Sequence, residues 1–201
     1  MESVPDPILT RRARCGRCGL PLATCLCALA VPVDNGVEVL VLQHPREARE
    51  AKGSVRLMAL SLARCRVVTG EVFEPAVLHR LLQGDGQRSV LLYPEHALAG
   101  ATTGAVDGLP TRLVVLDATW RKSLRMLMRN EALQHLPRWR LEPDGPAVYA
   151  ALRKAPRPSQ LSSLEACCAA LAAIEGTTAR YAPLLAAFGR FVAERAARVE
   201  T

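Results

Sequence analysis

Apolar residues follow two alternating patterns along the chain, and together they predict strands and helices in alternation from residue 37 onward. Continuous apolar runs predict strands at 37–42, 66–71, 89–93, 112–117 and 138–141. Apolar residues at helical spacing predict helices at 55–64, 75–82, 120–136 and 164–174, and a last helix that buries Leu184, Phe188, Phe191 and Val192. Residues 113–116, between Arg112 and Asp117, are all apolar, as in a parallel sheet covered on both faces. The pattern therefore predicts an α/β fold with a mostly parallel sheet flanked by helices.

Composition and charge narrow the possible partners and location. No apolar run approaches the ~18 residues of a membrane span, and residues 1–14 are polar and basic, unlike a secretory signal. We therefore expect a cytoplasmic protein with reduced thiols. The net charge of +7 favours a polyanionic partner such as nucleic acid. Aromatic residues are only 4% of the chain, which argues against a base-stacking platform of the kind that single-strand binders use.

Four of the seven cysteines lie close together near the start of the chain: Cys15, Cys18, Cys25 and Cys27. Zn²⁺ takes four thiolates tetrahedrally, and a CxxC turn can present two of them to one ion. The alternatives are ordinary reduced thiols or a pair of disulfides. A site with four protein ligands leaves no open position, so such a zinc is structural. We therefore expect an N-terminal zinc-binding segment at 1–35 and a catalytic domain at 36–201.

Polar residues follow three of the predicted strands, at 43–45, 93–96 and 117–120. Ligands of parallel α/β sheets bind beyond the carboxyl ends of the strands. Asp117 follows four apolar residues, so its carboxylate is a candidate base or hydrogen-bond acceptor. It is equally well placed to cap the helix that follows. His44 is a weaker candidate, because a lone histidine is more often structural.

A basic stripe follows Asp117 on the predicted helix: Arg121, Lys122, Arg125 and Arg129. A second basic group, Arg153, Lys154 and Arg157, lies in a segment rich in Pro and Gly. Charged residues on a helix usually form its solvated face. In this helix, however, no acidic residue at i±4 neutralises Arg121 or Arg125, and this favours contact with phosphates.

Several segments together resemble the DTW-domain family over about residues 14–170. They are the four-cysteine cluster, His44-Pro45, Leu92-Tyr93-Pro94, the DxTW signature Asp117-Ala118-Thr119-Trp120, and Ser162-Ser163-Leu164-Glu165-Ala166. The chain departs from the common pattern with Ser where Thr is frequent in the last segment. The resemblance implies a SPOUT-like, knotted α/β domain that binds S-adenosylmethionine and transfers its 3-amino-3-carboxypropyl group to a tRNA uridine.

The resemblance also implies roles for individual residues. Asp117 becomes the candidate base at uridine N3, and Thr119 helps to hold substrate or cofactor. The cofactor pocket would be lined by Leu92, Tyr93, Pro94, Leu116, Trp120, Ser162, Ser163 and Leu164. The basic stripe, the second basic group and the zinc segment would bind tRNA. The alternatives are a SPOUT-type RNA methyltransferase and a zinc-ribbon RNA-binding protein without catalysis.

Overall fold

A computed structural model of the protein describes residues 13–50, 54–93, 108–139, 141 and 161–197. Its five strands are β1 (Glu38–Gln43), β2 (Cys65–Thr69), β3 (Ser89–Leu92), β4 (Arg112–Asp117) and β5 (Arg138–Trp139). They form one sheet in the order β2-β1-β4-β3-β5, and every neighbouring pair is parallel. The predicted parallel α/β architecture is confirmed. All five strands begin within two residues of the predicted positions.

Seven α-helices lie among the described residues. They are α1 (Pro45–Arg49), α2 (Ser54–Ser61), α3 (Pro75–Gln83), α4 (Trp120–Arg129), α5 (Glu131–Gln134), α6 (Ser163–Glu175) and α7 (Ala182–Ala197). Local signals in the sequence set two of the helix boundaries. Ser162 and Glu165 form a capping box at the start of α6. Gly84 is the C-cap of α3.

Apolar helices cover both faces of the sheet, because alternate residues of each strand point to opposite sides. On the first face, Val39, Val41 and Val115 pack with α2, α6 and α7. On the second face, Leu40, Leu42 and Leu116 pack with α3, α4 and α5. The first core also contains Cys18, Leu20 and Leu26, so the cysteine segment packs against the same hydrophobic core as the sheet. Among the described residues, no helix is both long and apolar enough to cross a membrane.

The predicted helix at 120–136 is in fact two helices that meet at Asn130. This side chain is buried. Its amide donates to the carbonyls of Glu71 and Met126 and accepts from the backbone N–H of Phe73. A side chain that bonds to the backbone in this way competes with helix continuation.

The apolar residues whose spacing predicts this helix are only partly buried. Leu127 is buried as expected, but Trp120, Leu124 and Met128 are 58%, 40% and 53% exposed. The helix also buries Ser123 and Met126. The rotation of the helix follows from its packing: the hydroxyls of Ser123 and Tyr93 share a hydrogen bond of 3.2 Å beneath it.

A smaller correction concerns the last helix, α7. Leu184 and Phe191 are buried as predicted and Phe188 is partly buried, but Val192 is 43% exposed.

Candidate functional site

The carboxyl ends of β1 and β4 form the centre of the candidate site. The chain leaves β1 towards α2 on the first face of the sheet and leaves β4 towards α4 on the second face. This divergence of neighbouring parallel strands is a topological switch point, where α/β proteins open a crevice for ligands. Gln43 and Asp117 are the register partners that end the two strands, so their side chains meet at this crevice.

Two neutral donors hold the Asp117 carboxylate. Gln43 donates from Nε2 to Oδ2 at 2.9 Å, and the Ser163 hydroxyl donates to Oδ1 at 2.6 Å. Both bonds fix the orientation of the carboxylate, and each oxygen keeps a second acceptor position for a ligand. The alternative role of Asp117 as a helix cap is wrong, because Thr119 occupies the N-cap position of α4.

Gln43 was missing from the predicted site. Its position after a buried strand was the available signal, but only the pairing of β1 with β4 shows that it meets Asp117. Gln43 also lines a cleft of about 200 Å³ between β1, α1 and α2. Glu47, Glu50 and Arg56 supply charged groups to this cleft, and Val55 and Val67 supply apolar surface.

Two groups of the residues predicted to line the cofactor pocket make contacts at the ends of the strands. Ser163 brings the first turn of α6 against the carboxylate, and Ser162 and Leu164 flank it. Tyr93 lies just beyond the end of β3, where its ring meets that of Trp120 edge to face at 6.0 Å between centroids.

The other predicted pocket residues are placed as follows. The side chain of Leu116 is buried in the core on the second face of the sheet, so only its backbone is available at the crevice. Leu92 is half-buried at the end of β3. Pro94 lies outside the described residues.

His44 has a structural role next to this site. Its Nδ1 accepts from the backbone N–H of Arg46 and caps α1, while its Nε2 lies 3.4 Å from a carboxylate oxygen of Glu71. The ring is buried and both nitrogens are engaged. This arrangement agrees with the structural interpretation of a lone histidine.

Acidic residues distant in sequence partly neutralise the basic stripe. Lys122 pairs with Glu47 at 2.7 Å, and Arg129 and Arg125 lie 3.2 and 4.0 Å from Glu71. Burial raises the pKa of Glu71, but the hydrogen bond and the charge of Arg129 lower it. The pKa of Glu71 therefore stays below its usual value. Within the part of the chain that the structure describes, Arg121 has no carboxylate within 4 Å.

Contact between the basic stripe and RNA therefore stays a prediction. The stripe carries less unpaired positive charge than the sequence alone suggested. Arg153, Lys154 and Arg157, the second basic group, lie outside the described residues.

The four clustered cysteines meet at one point. All four sulfurs lie within 4.8 Å of one another, with Cys15–Cys27 at 3.6 Å and Cys18–Cys25 at 3.7 Å. These distances exceed the ~2.05 Å of a disulfide bond. Four thiolates around Zn²⁺ at ~2.3 Å stand about 3.8 Å apart, so the cluster fits a tetrahedral metal site.

Local backbone geometry builds this cluster. Gly19 takes φ +68° and donates its N–H to the carbonyl of Cys15 at 2.8 Å. Gly16, expected to share this role, is not among the residues with positive φ. Backbone N–H groups of Cys18 and Arg17 lower the pKa of Cys15 to about 6. Burial and the neighbouring thiols raise the pKa of Cys27 to about 12, because several thiolates repel one another without a cation between them.

Known proteins match nearly the whole chain. It is 27% identical over 174 residues to tRNA-uridine aminocarboxypropyltransferase 2 of Macaca fascicularis, covering 82% of this chain and 57% of that protein. It is 30% identical over 173 residues to the Drosophila melanogaster protein of the same name, covering 82% of this chain and 68% of that protein. An Arabidopsis thaliana relative, tRNA-uridine aminocarboxypropyltransferase A, is 26% identical over 61% of this chain and 53% of its own length.

The chain thus spans little more than half the length of the Macaca and Arabidopsis relatives. No solved structure matches it. The profile of the DTW domain matches residues 12–196, which include both the cysteine cluster and the crevice around Asp117. The chain therefore belongs to the DTW domain family.

Proposed function

We propose that this protein transfers the 3-amino-3-carboxypropyl group of S-adenosylmethionine to N3 of a uridine in tRNA and releases methylthioadenosine. The observation that carries the proposal is the Asp117 carboxylate, fixed by Gln43 and Ser163 in the crevice between β1 and β4. The family and the names of the relatives supply the reaction class. A SPOUT-like knot, the division at residue 35 and a cytoplasmic location belong to the same proposal.

The reaction needs one proton removed and one bond exchanged. N3 of uridine loses its proton, for which Asp117 is the candidate acceptor, and then attacks the Cγ carbon of the donor. The new N3–Cγ bond forms as the Cγ–sulfur bond breaks, and its electron pair returns the sulfonium to a neutral thioether. Because the sulfonium is already a good leaving group, the protein contributes mainly by orienting the two reactants.

The first turn of α6 suits the carboxylate end of the donor. Backbone N–H groups at a helix start have no partner within the helix and carry partial positive charge. In α6 the Ser162 side chain satisfies the N–H of Glu165. Among the described residues, the N–H groups of Ser163 and Leu164 have no acceptor and would be available to a ligand carboxylate. Tyr93 and Trp120 would offer aromatic surface beyond the end of β3 and at the start of α4. The cleft beside Gln43 provides room for the acceptor base.

The cysteine cluster would hold a structural zinc. Ligation by Cys15, Cys18, Cys25 and Cys27 would fix the fold of the N-terminal segment. Arg56 of α2 links this segment to the rest of the domain, because its guanidinium donates to the carbonyl of Cys18 at 2.9 Å. The ion would stabilise this arrangement and take no part in the transfer.

The test is direct analysis of both products. Purified protein is incubated with S-adenosylmethionine and unmodified tRNA, and the small-molecule by-product and digested nucleosides are identified by mass spectrometry. We expect methylthioadenosine and an aminocarboxypropyl-uridine, and loss of both with Asp117→Asn. The matched control is Glu194→Gln, an exposed acid on α7.

Other products would overturn the proposal. S-adenosylhomocysteine with a methylated base would assign the chain to methyl transfer. RNA binding without turnover of the donor would assign it to a non-catalytic role.

A further inference from the structure

The most unusual exposed surface of the described residues lies on α4. Trp120, Leu124 and Met128 form an apolar row at successive i+4 positions, and between 40% and 58% of each residue is exposed. Arg121 and Arg125 follow the same spacing about 100° around the helix, so an arginine row runs beside the apolar row. Large apolar side chains lined up in solvent are costly unless a partner covers them.

We propose that this face of α4 binds the unpaired nucleotides that flank the target uridine. The apolar row would contact base faces, and the arginine row would contact the phosphates of the same strand. This inference rests on the proposed function, because it takes the acceptor to be RNA. It adds that the acceptor is held on the surface of α4 and that the bound part of the strand is unpaired.

Position supports this assignment. α4 begins three residues after Asp117, so a strand whose uridine reaches the carboxylate passes the start of the helix. Trp120 is at this junction, with its ring edge against Tyr93 and more than half of its surface in solvent. From Trp120 to Met128 the helix rises about 12 Å, so the apolar row is long enough to contact more than one nucleotide.

Chemistry favours unpaired RNA over a duplex or another protein. A duplex keeps its base faces stacked inside, whereas unpaired bases can lie on apolar and aromatic side chains. The α4 sequence contains no acidic residue. Arg125 lies 4.0 Å from Glu71, but Arg121 has no carboxylate within 4 Å among the described residues, so the start of the arginine row offers free positive charge to a polyanion. A two-fold contact between two copies of this helix would place both arginine rows in one interface, where like charges repel.

The test uses Leu124 and Met128, because neither is proposed to bind the donor. The double variant Leu124→Ser, Met128→Ser is compared with Val77→Ser, which removes an exposed apolar side chain from α3. Binding of a fluorescein-labelled single-stranded 12-nucleotide RNA, a blunt duplex of the same sequence and unmodified tRNA is measured by anisotropy, without S-adenosylmethionine.

We expect the double variant to bind the single strand roughly 10- to 100-fold more weakly, because two apolar side chains that would be covered by bases are replaced by polar ones. Its salt dependence should stay the same, because the phosphate contacts remain. In contrast, Arg121→Ser should reduce the slope of log K against log salt by about 0.7. Val77→Ser should bind like the wild type, and the duplex should bind the wild type and the double variant equally.

Two results would overturn the proposal. In the first, the wild type transfers the group to tRNA, and the double variant has the same RNA affinity and transfer rate. In the second, the wild type sediments as a dimer, the double variant sediments as a monomer, and the RNA affinity is unchanged; the row would then be a contact between two copies. If the wild type transfers nothing to tRNA but the double variant still loses RNA affinity, the reaction assignment fails and this surface assignment stands.

Discussion

The hydroxyl of Ser163 provides a sharp test of how Asp117 is held. Ser163→Ala removes the 2.6 Å bond to Oδ1 and leaves the bond from Gln43 to Oδ2. A hydrogen bond to a charged group is worth about 1.5–3 kcal/mol. If the transition state needs the carboxylate in this orientation, the loss corresponds to a decrease in kcat/KM of roughly 10- to 150-fold. Because Asp117 is 9% exposed and water can replace part of the bond, we expect the lower half of that range.

The assay is steady-state release of methylthioadenosine with unmodified tRNA. Ser163→Thr is the matched control, because it keeps a hydroxyl at the same place and should retain most of the activity. Thermal unfolding of both variants separates positioning from folding, since ~1 kcal/mol shifts Tm by about 2–4 °C in a domain of this size. A kcat/KM for Ser163→Ala within threefold of the wild type would refute the view that this bond orients the carboxylate for reaction.

Three further predictions concern stability and metal. Glu175→Ala should lower the free energy of unfolding by about 2–4 kcal/mol in urea, because two backbone N–H groups at the start of β1 lose their carboxylate acceptor; a change below 0.5 kcal/mol would contradict this. Backbone N–H groups at the start of α3 lower the pKa of Glu74. The ionised side chain therefore stabilises the fold fully above pH 4.5, the usual pKa, and this stabilisation is lost as the pH falls through the lowered pKa. The Tm difference between wild type and Glu74→Gln should therefore shrink in acid. A Tm difference that does not change with pH would contradict this role of the Glu74 carboxylate. Metal analysis of reduced protein should find one zinc per chain, lost in Cys27→Ser and kept in Cys65→Ser; wild-type protein without metal would disprove the site.

Most of the fold could be predicted because its signals are local. An apolar run such as 112–117 specifies a strand buried on both faces, and neighbouring residues such as Ser162 and Glu165 contain the whole capping box. The cysteine cluster was visible for the same reason, since its four ligands lie within a short segment. The length of the helix after Asp117 was not predictable, because the break at Asn130 depends on contacts with Glu71 and Phe73, far away in the sequence.

Local sequence patterns are enough to predict the alternation of strands and helices, the cysteine cluster and the candidate carboxylate at the end of β4. The surroundings of that carboxylate depend on the tertiary fold. Gln43 and Ser163 are 74 and 46 residues away from Asp117 in the chain and meet it through strand pairing and helix packing. The same packing rotated α4 so that its apolar row faces solvent, and placed Glu71 beside two of its arginines. Periodicity specifies which residues share a face of a helix, but the choice of the buried face is made by the neighbours against which the helix packs.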